Sequence, residues 1–312
     1  MAAVNALSNM SIWIALGVVF ALIVGPIGDF SSTLLIIVLI IQMTLSMDGL
    51  TFNKENLEKN RNQILYAVAA CFIISMGVTL AVGHFFIADH PDIWNGWVLL
   101  AVVPCAVSCV TMSFLLRGNT LMSVLALAVI YFIALVLTPT LTRMIIGESI
   151  SVLKIFSYVI LFVVIPMAAS IPMKKVKMSR TVRVVAINVM IFLMVFLALG
   201  QNREHLFSAP GIVLLVIAAC IIRVFGVSFF MLYLMKKKGT NRENAMVYLP
   251  MAVWKNSGLA TTLCFVLFGS AAEAAIPCVI SLLIEMLWFA LISSYMDRLW
   301  PVSKDQSHAV NN

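Results

Sequence analysis

The chain has 312 residues, of which 62% are apolar and 11% charged. Soluble domains carry about 45–50% apolar and about 25% charged residues, so a water-facing globule is excluded. The net charge of +7 has the sign of a nucleic-acid binder, but the basic residues sit in short loops between apolar runs. Membrane topology produces that arrangement, so nucleic acid is not an expected partner.

A helix needs about 20 apolar residues to cross the hydrocarbon core. The first such run, Met10–Pro26, has no basic segment before it and no small-residue cleavage site. It is expected to be a retained helix, not a signal peptide. Ser32–Leu50 follows, with Asp48 near its end at an interfacial position, then Asn62–Phe85, Trp97–Leu116 and Thr120–Thr142. The second half supplies Ile150–Pro172, Thr181–Gly200, Ser208–Met235, Ala245–Phe268 and Ala272–Met296, and a polar tail occupies 301–312. All six cysteines (Cys71, Cys105, Cys109, Cys220, Cys264, Cys278) fall inside these runs, as buried free thiols do, and no C-x-x-C pair marks zinc. No cofactor or metal is expected.

Ten crossings place both termini on one side. That side collects Lys54, Lys59, Arg61, Arg117, Lys174, Lys175, Lys177, Arg180, Lys236, Lys237, Lys238, Arg242, Arg298 and Lys304. Arg143, Lys154 and Arg203 fall on the other. The bias predicts an integral membrane protein of the cell or inner membrane with both termini cytoplasmic. The basic run from Lys174 to Arg180 divides a single domain (1–300) into halves of about 10–142 and 150–296.

The fourth span of each half is interrupted. In the first, Pro104-Cys105-Ala106-Val107-Ser108-Cys109-Val110 puts a helix breaker and polar groups at membrane depth. Backbone groups released there must be satisfied by protein or by a wet cavity. In the second, Pro250 and Met251 precede Lys255-Asn256-Ser257-Gly258. Lys255 lies about ten residues from either end of its span, roughly 15 Å at 1.5 Å per residue, which is far to snorkel. A lysine at a helix centre costs roughly 2.5–3.5 kcal/mol on insertion scales, so it is expected to face a cavity or a partner. Glu285 in the last span is the nearest carboxylate candidate, and Arg223 in the eighth is a further buried charge. Lys255 and Glu285 are expected to form either a structural ion pair or a proton-carrying couple. A matched pair of interrupted spans points to an inverted-repeat secondary transporter with a midplane site.

Pro104 with its small, polar run, Arg117-Gly118-Asn119 followed by Ser123, Leu137-Thr138-Pro139, and Asn256-Ser257-Gly258-Leu259 together resemble the bile acid:sodium symporter family. The resemblance covers about the first 296 residues. It implies an all-α membrane protein of about ten spans, in two inverted five-helix repeats whose broken fourth and ninth helices cross at the ion and substrate sites. The solute-contacting set it implies is Pro104, Val107, Ser108, Cys109, Asn256 and Ser257, with Glu285 beside them. At the ion site the family's glutamate and glutamine on the ninth helix read Met251 and Lys255. Its serine–asparagine pair reads Cys109 and Val110, its threonine Leu127 and its glutamine Cys71; Ser123 keeps its hydroxyl. With those oxygens gone, the expected function is sodium-independent transport of a small organic anion, with the Lys255 ammonium in place of the bound cation and proton coupling as the alternative drive.

Two other readings remain open. Pro104-Cys105, with Cys109 one turn on, resembles arsenite efflux permeases of the same superfamily, where soft thiolates suit a metalloid. A channel would also use broken helices. An enzyme is not expected, because His84, His90, His205 and His308 lie in loops, span ends or the tail and form no cluster.

Overall fold

The computed structural model describes residues 7, 10–28, 31–46, 54–147, 151–173, 176, 178–269 and 273–301. Asp48, Lys174, Lys175, Lys177, Lys304 and nearly all of the tail lie outside the described residues. No strand forms among the described residues; the chain is a succession of helices.

In order these are α1 (Met10–Val24), α2 (Ser31–Ser46), α3 (Lys54–Lys59), α4 (Arg61–Phe86), α5 (Pro91–Val102), α6 (Ser108–Leu115) and α7 (Thr120–Ile146). Then come α8 (Leu153–Met173), α9 (Arg180–Gln201), α10 (Arg203–Ser208), α11 (Pro210–Lys237), α12 (Arg242–Val253), α13 (Ser257–Phe268) and α14 (Ala275–Leu299). Among the described residues six helices, namely α4, α7, α8, α9, α11 and α14, are long and apolar enough to cross a membrane. Shorter apolar helices run through Met10–Val24, Thr33–Ser46 and Ser257–Phe268. In the unbroken spans the helical backbone satisfies its own amides at membrane depth. This is an integral membrane protein.

The helices form two packing groups. α9 lies along α1 and α2, and α2 also meets α8. In the other group α14 packs on α11, α13 and α5, while α4 packs on α7 and α12. The groups meet where α8 packs on α7, where α13 faces α2 and, more lightly, where α9 touches α14. A Cβ on Gly258 would stand 2.4 Å from Met194 Sδ and 3.5 Å from a Leu39 methyl.

Interruptions occur where the residues demand them. α4 and α8 each contain a π-helical stretch, Ala70–Ser75 and Ile160–Val164. A π-turn displaces carbonyls from their usual i→i+4 partners, and such turns concentrate at functional sites. Arg117 takes φ +60 between α6 and α7, and that turn is closed by Gly118 N–H donating to Ser113 O at 2.7 Å. Asn119 then caps α7 by accepting from Met122 N. This turn docks on the α11–α12 turn: Asn119 N–H donates to Glu243 O at 3.1 Å, and Arg242 Nη2 reaches Leu116 O at 3.1 Å and Asp297 Oδ1 at 2.6 Å.

The tightest backbone approach is at Gly96 on α5, where a Cβ would lie 1.9 Å from Ala274 O at the start of α14. Gly96→Ala therefore forces α5 and α14 apart. Its expected cost is at least the roughly 1–3 kcal/mol of an overpacked core, read as a lower Tm of the purified protein; Gly77→Ala, with nothing within 4 Å of its Cβ, should leave Tm unchanged.

Candidate functional site

Pro104 forces the first break. The residue before a proline is driven out of the helical region, and Val103 sits at φ −67, ψ 153. The chain stays open until α6 begins at Ser108. The second break covers 254–256, with Trp254 at φ −95, ψ 101. The two open segments run antiparallel and pair at Cys105 and Lys255. Ala106 N–H donates to Trp254 O at 3.1 Å, and Asn256 N–H donates to Pro104 O at 2.9 Å.

The two prolines predict unwound segments near Pro104–Cys109 and Pro250–Ser257, and both breaks are shorter than that. Ser108 and Cys109 belong to the first turn of α6, and Pro250 lies inside α12. A proline disturbs the turn that precedes it, removing the donor for the carbonyl four residues back. Residues after Pro250 continue the helix, and Trp254 N–H still closes on Pro250 O at 2.8 Å. Asn256 sets the new start, its Oδ1 accepting from Leu259 N at 3.1 Å as an N-cap. The Asn-Ser-Gly-Leu motif is thus the amino-terminal signal of α13.

The orphaned carbonyls around the crossing find donors on other elements. Thr138 of α7 donates its hydroxyl to Val102 O at 2.9 Å, which gives the Leu137-Thr138-Pro139 motif its role here. Lys255 is wholly buried, and its Nζ donates to Val103 O at 2.8 Å and Cys71 O at 3.3 Å. The ammonium also stands 5.6 Å from the Phe72 ring centroid, within cation–π reach. The Cys109 thiol lies 3.4 Å from Pro250 O and 3.7 Å from Trp254 O, at the end of α12. Asn256 Nδ2 donates to the Tyr131 hydroxyl at 3.0 Å.

Glu285 does not pair with Lys255 in the way the sequence suggested. Its carboxylate forms an ion pair with Arg223, and both side chains are wholly buried. Ser281 Oγ donates to Oε1 at 3.1 Å, Ser257 Oγ to Oε2 at 3.2 Å, and the backbone N–H of Lys255 to Oε1 at 3.2 Å. Arg223 wins because α11 packs along α14 and delivers a planar donor fork, while the Lys255 side chain runs to α4 and to the first break. Glu285 also occupies the place where an anion would meet the amino end of α13. Arg223 is thus the side-chain counter-charge of Glu285, and Lys255 meets that carboxylate through its backbone N–H alone.

The remaining expected residues are distributed around this centre. Met251 and Cys109 are buried beside the breaks, Leu127 is buried on α7, and Val110 is half-buried on α6. Cys71 contributes through its carbonyl. Ser123 Oγ donates to Ser113 Oγ at 3.1 Å, and Ser113 in turn to Cys109 O at 2.8 Å, so the one retained hydroxyl is tied to α6. Val107 is buried and Ser108 half-buried at the start of α6, whose N-cap has no side-chain hydrogen bond. Sequence reasoning missed Ser281, Tyr131 and Ser113, all polar groups on apolar helix faces. Ser281 stands one turn before Glu285, a spacing that marks a second-row donor.

The model of the SBF-like CPA transporter family (DUF4137) matches residues 8–298, in agreement with the resemblance read from the sequence. No curated protein matches the chain.

Breaking one side of a buried ion pair leaves an uncompensated charge and costs roughly 3–5 kcal/mol, whereas removing both charges together is far less costly. Arg223→Met should lower Tm strongly. The double change Arg223→Met with Glu285→Gln should recover most of the loss, because the amide oxygen still accepts from Lys255 N–H.

Proposed function

The chain belongs to the SBF-like CPA transporter family, and on that premise we propose that it is a secondary active transporter of a small organic anion. It works without sodium, and the Lys255 ammonium fills the role of the bound cation. The observation that carries this reading is the pair of backbone carbonyls, Cys71 O and Val103 O, that the ammonium takes from two different elements at the crossing. Carbonyls converging on a positive charge inside unwound helices are how transporters of this kind hold a coupling ion. Here the charge is covalently attached.

Met251, Cys71, Cys109, Val110 and Leu127 then stand at the positions where the bile acid:sodium symporter family carries oxygen ligands, and supply no side-chain oxygen. Ser108, Asn256 and Val107, with Pro104 and Ser257 behind them, make the solute contacts next to the open amino end of α6. In this reading the chain is two inverted five-helix repeats, with α5–α6 and α12–α13 as the broken fourth and ninth spans. The basic loops face the cytoplasm. Alternating access is a rocking of the α1, α2, α8, α9 group against the group that carries the crossing.

The second reading, metalloid efflux, draws on the Cys105 thiol, which lies near those of Cys71 and Cys109 at the crossing, although among the described residues no three ligating side chains converge as a metal site. Against it, the Cys109 thiol faces two carbonyls. Saturable stabilisation by arsenite, lost in Cys105→Ser, would favour it over the organic anion.

The test begins with a thermal-shift screen of carboxylates and sulfonates, followed by uptake of the strongest binder into proteoliposomes under imposed pH gradients. Lys255→Ala and Lys255→Gln should both lose uptake at least about tenfold, the factor produced by about 1.4 kcal/mol of lost interaction. Near-normal uptake by Lys255→Ala would contradict the proposal. Uptake that follows the pH gradient would identify the proton as the coupling ion.

A further inference from the structure

A cavity lies away from the crossing, at the end of the molecule where the α11–α12 turn and the start of α4 meet. It has a volume of about 750 Å³, inside the roughly 300–1,000 Å³ range of small-molecule sites. Its wall on α4 runs from Asn62 to Ile74, twelve residues or about 18 Å of helix at 1.5 Å per residue. The cavity is therefore elongated along the helices.

Its chemistry changes along that length. Among its lining residues Asn62 and Lys238 are exposed, Asn244 and Ile74 half-buried, and Met231 and Met235 buried. Tyr66 and Tyr248 line it too, with ring centroids 6.1 Å apart. Lys238 Nζ is poised over the Tyr66 ring at 4.9 Å from its centroid. Lys238 is the one lysine or arginine among the lining residues, and no carboxylate is among them. The turn that carries it is built to present it: Gly239 adopts φ +63, and Thr240 N–H donates to Met235 O at 2.9 Å, closing the end of α11. The neighbouring Lys237 points elsewhere, to the Tyr233 ring.

We propose that this cavity binds an elongated amphipathic anion, its charged head at Lys238 and the amides and its apolar body between Tyr66, Tyr248 and Met231. The chemistry is shared by a free medium-chain carboxylate and by an anionic phospholipid. The site is separate from the solute site at Lys255, whose side chain is wholly buried. The cavity wall does reach Ala70 in the π-turn of α4, next to the Cys71 carbonyl that holds the ammonium, so an occupant contacts the element on which Lys255 is anchored.

The experiment uses the full chain in nanodiscs and reads Tm. One arm titrates decanoate into phosphatidylcholine discs; the other replaces part of the phosphatidylcholine with phosphatidylglycerol. At least one arm should raise Tm saturably, and which arm does so identifies the source. Lys238→Met, an exposed change that spares the fold, should weaken the response at least about tenfold, the expected effect of losing a hydrogen bond to a charged group. Lys237→Met and Lys255→Gln should both keep it. No saturable rise in either arm, or an equal loss in Lys237→Met and Lys238→Met, would overturn the proposal, the second by showing only surface charge. A response lost in Lys255→Gln but kept in Lys238→Met would assign the ligand to the crossing and overturn this site alone.

Discussion

A carbonyl or amide at membrane depth has no water to turn to, and each one left unpaired costs several kcal/mol. This constraint organises the centre of the molecule. Two helices are broken there, and every group the breaks release must be paired by something fixed. Part of the answer is backbone on backbone, the single antiparallel pairing of Cys105 with Lys255. Side chains supply the rest. Thr138 serves Val102, the Lys255 ammonium serves Val103 and Cys71, and the Lys255 amide is served by Glu285. One residue thus joins α4, both breaks and α14.

The charges follow from the same need. Glu285 caps the approach to α13 and requires a counter-charge of its own, which Arg223 provides from α11. That assignment frees Lys255 from neutralising a carboxylate, and in the proposed function its ammonium is the unmatched cation of the crossing. A cation held by carbonyls in a dry site has the chemistry of a bound alkali ion, with the difference that it cannot dissociate. Only the loss of a proton can discharge it. The cavity at the α11–α12 turn touches this arrangement through Ala70 in the π-turn of α4, next to the carbonyl of Cys71.

Much of this was legible in the residues. Pro104 announced its break because the steric rule for the residue before proline acts locally, and Val103 obeys it. Lys255 announced a site because a lysine ten residues from either end of a span has few bland explanations. Pro250 misled: its effect falls on the preceding turn, so the helix runs on to Val253 and the break belongs to Asn256. The partner of Glu285 was not legible at all. Lys255, Arg223 and Glu285 are each plain as intramembrane charges, but which two meet depends on how α11, α13 and α14 pack, and hydropathy carries no record of lateral packing. Thr138 was visible as part of a motif without a role; only the end of α5 beside it supplies one.

The central claim is that a tethered ammonium stands in for a bound sodium ion. Its most direct test is calorimetric titration of sodium into the purified chain, beside the double change Met251→Glu with Lys255→Gln. The account predicts no specific, saturable heat from the natural protein over choline at equal ionic strength, and allows such binding only after both changes restore a carboxylate and remove the ammonium. Saturable sodium binding by the natural protein would contradict it.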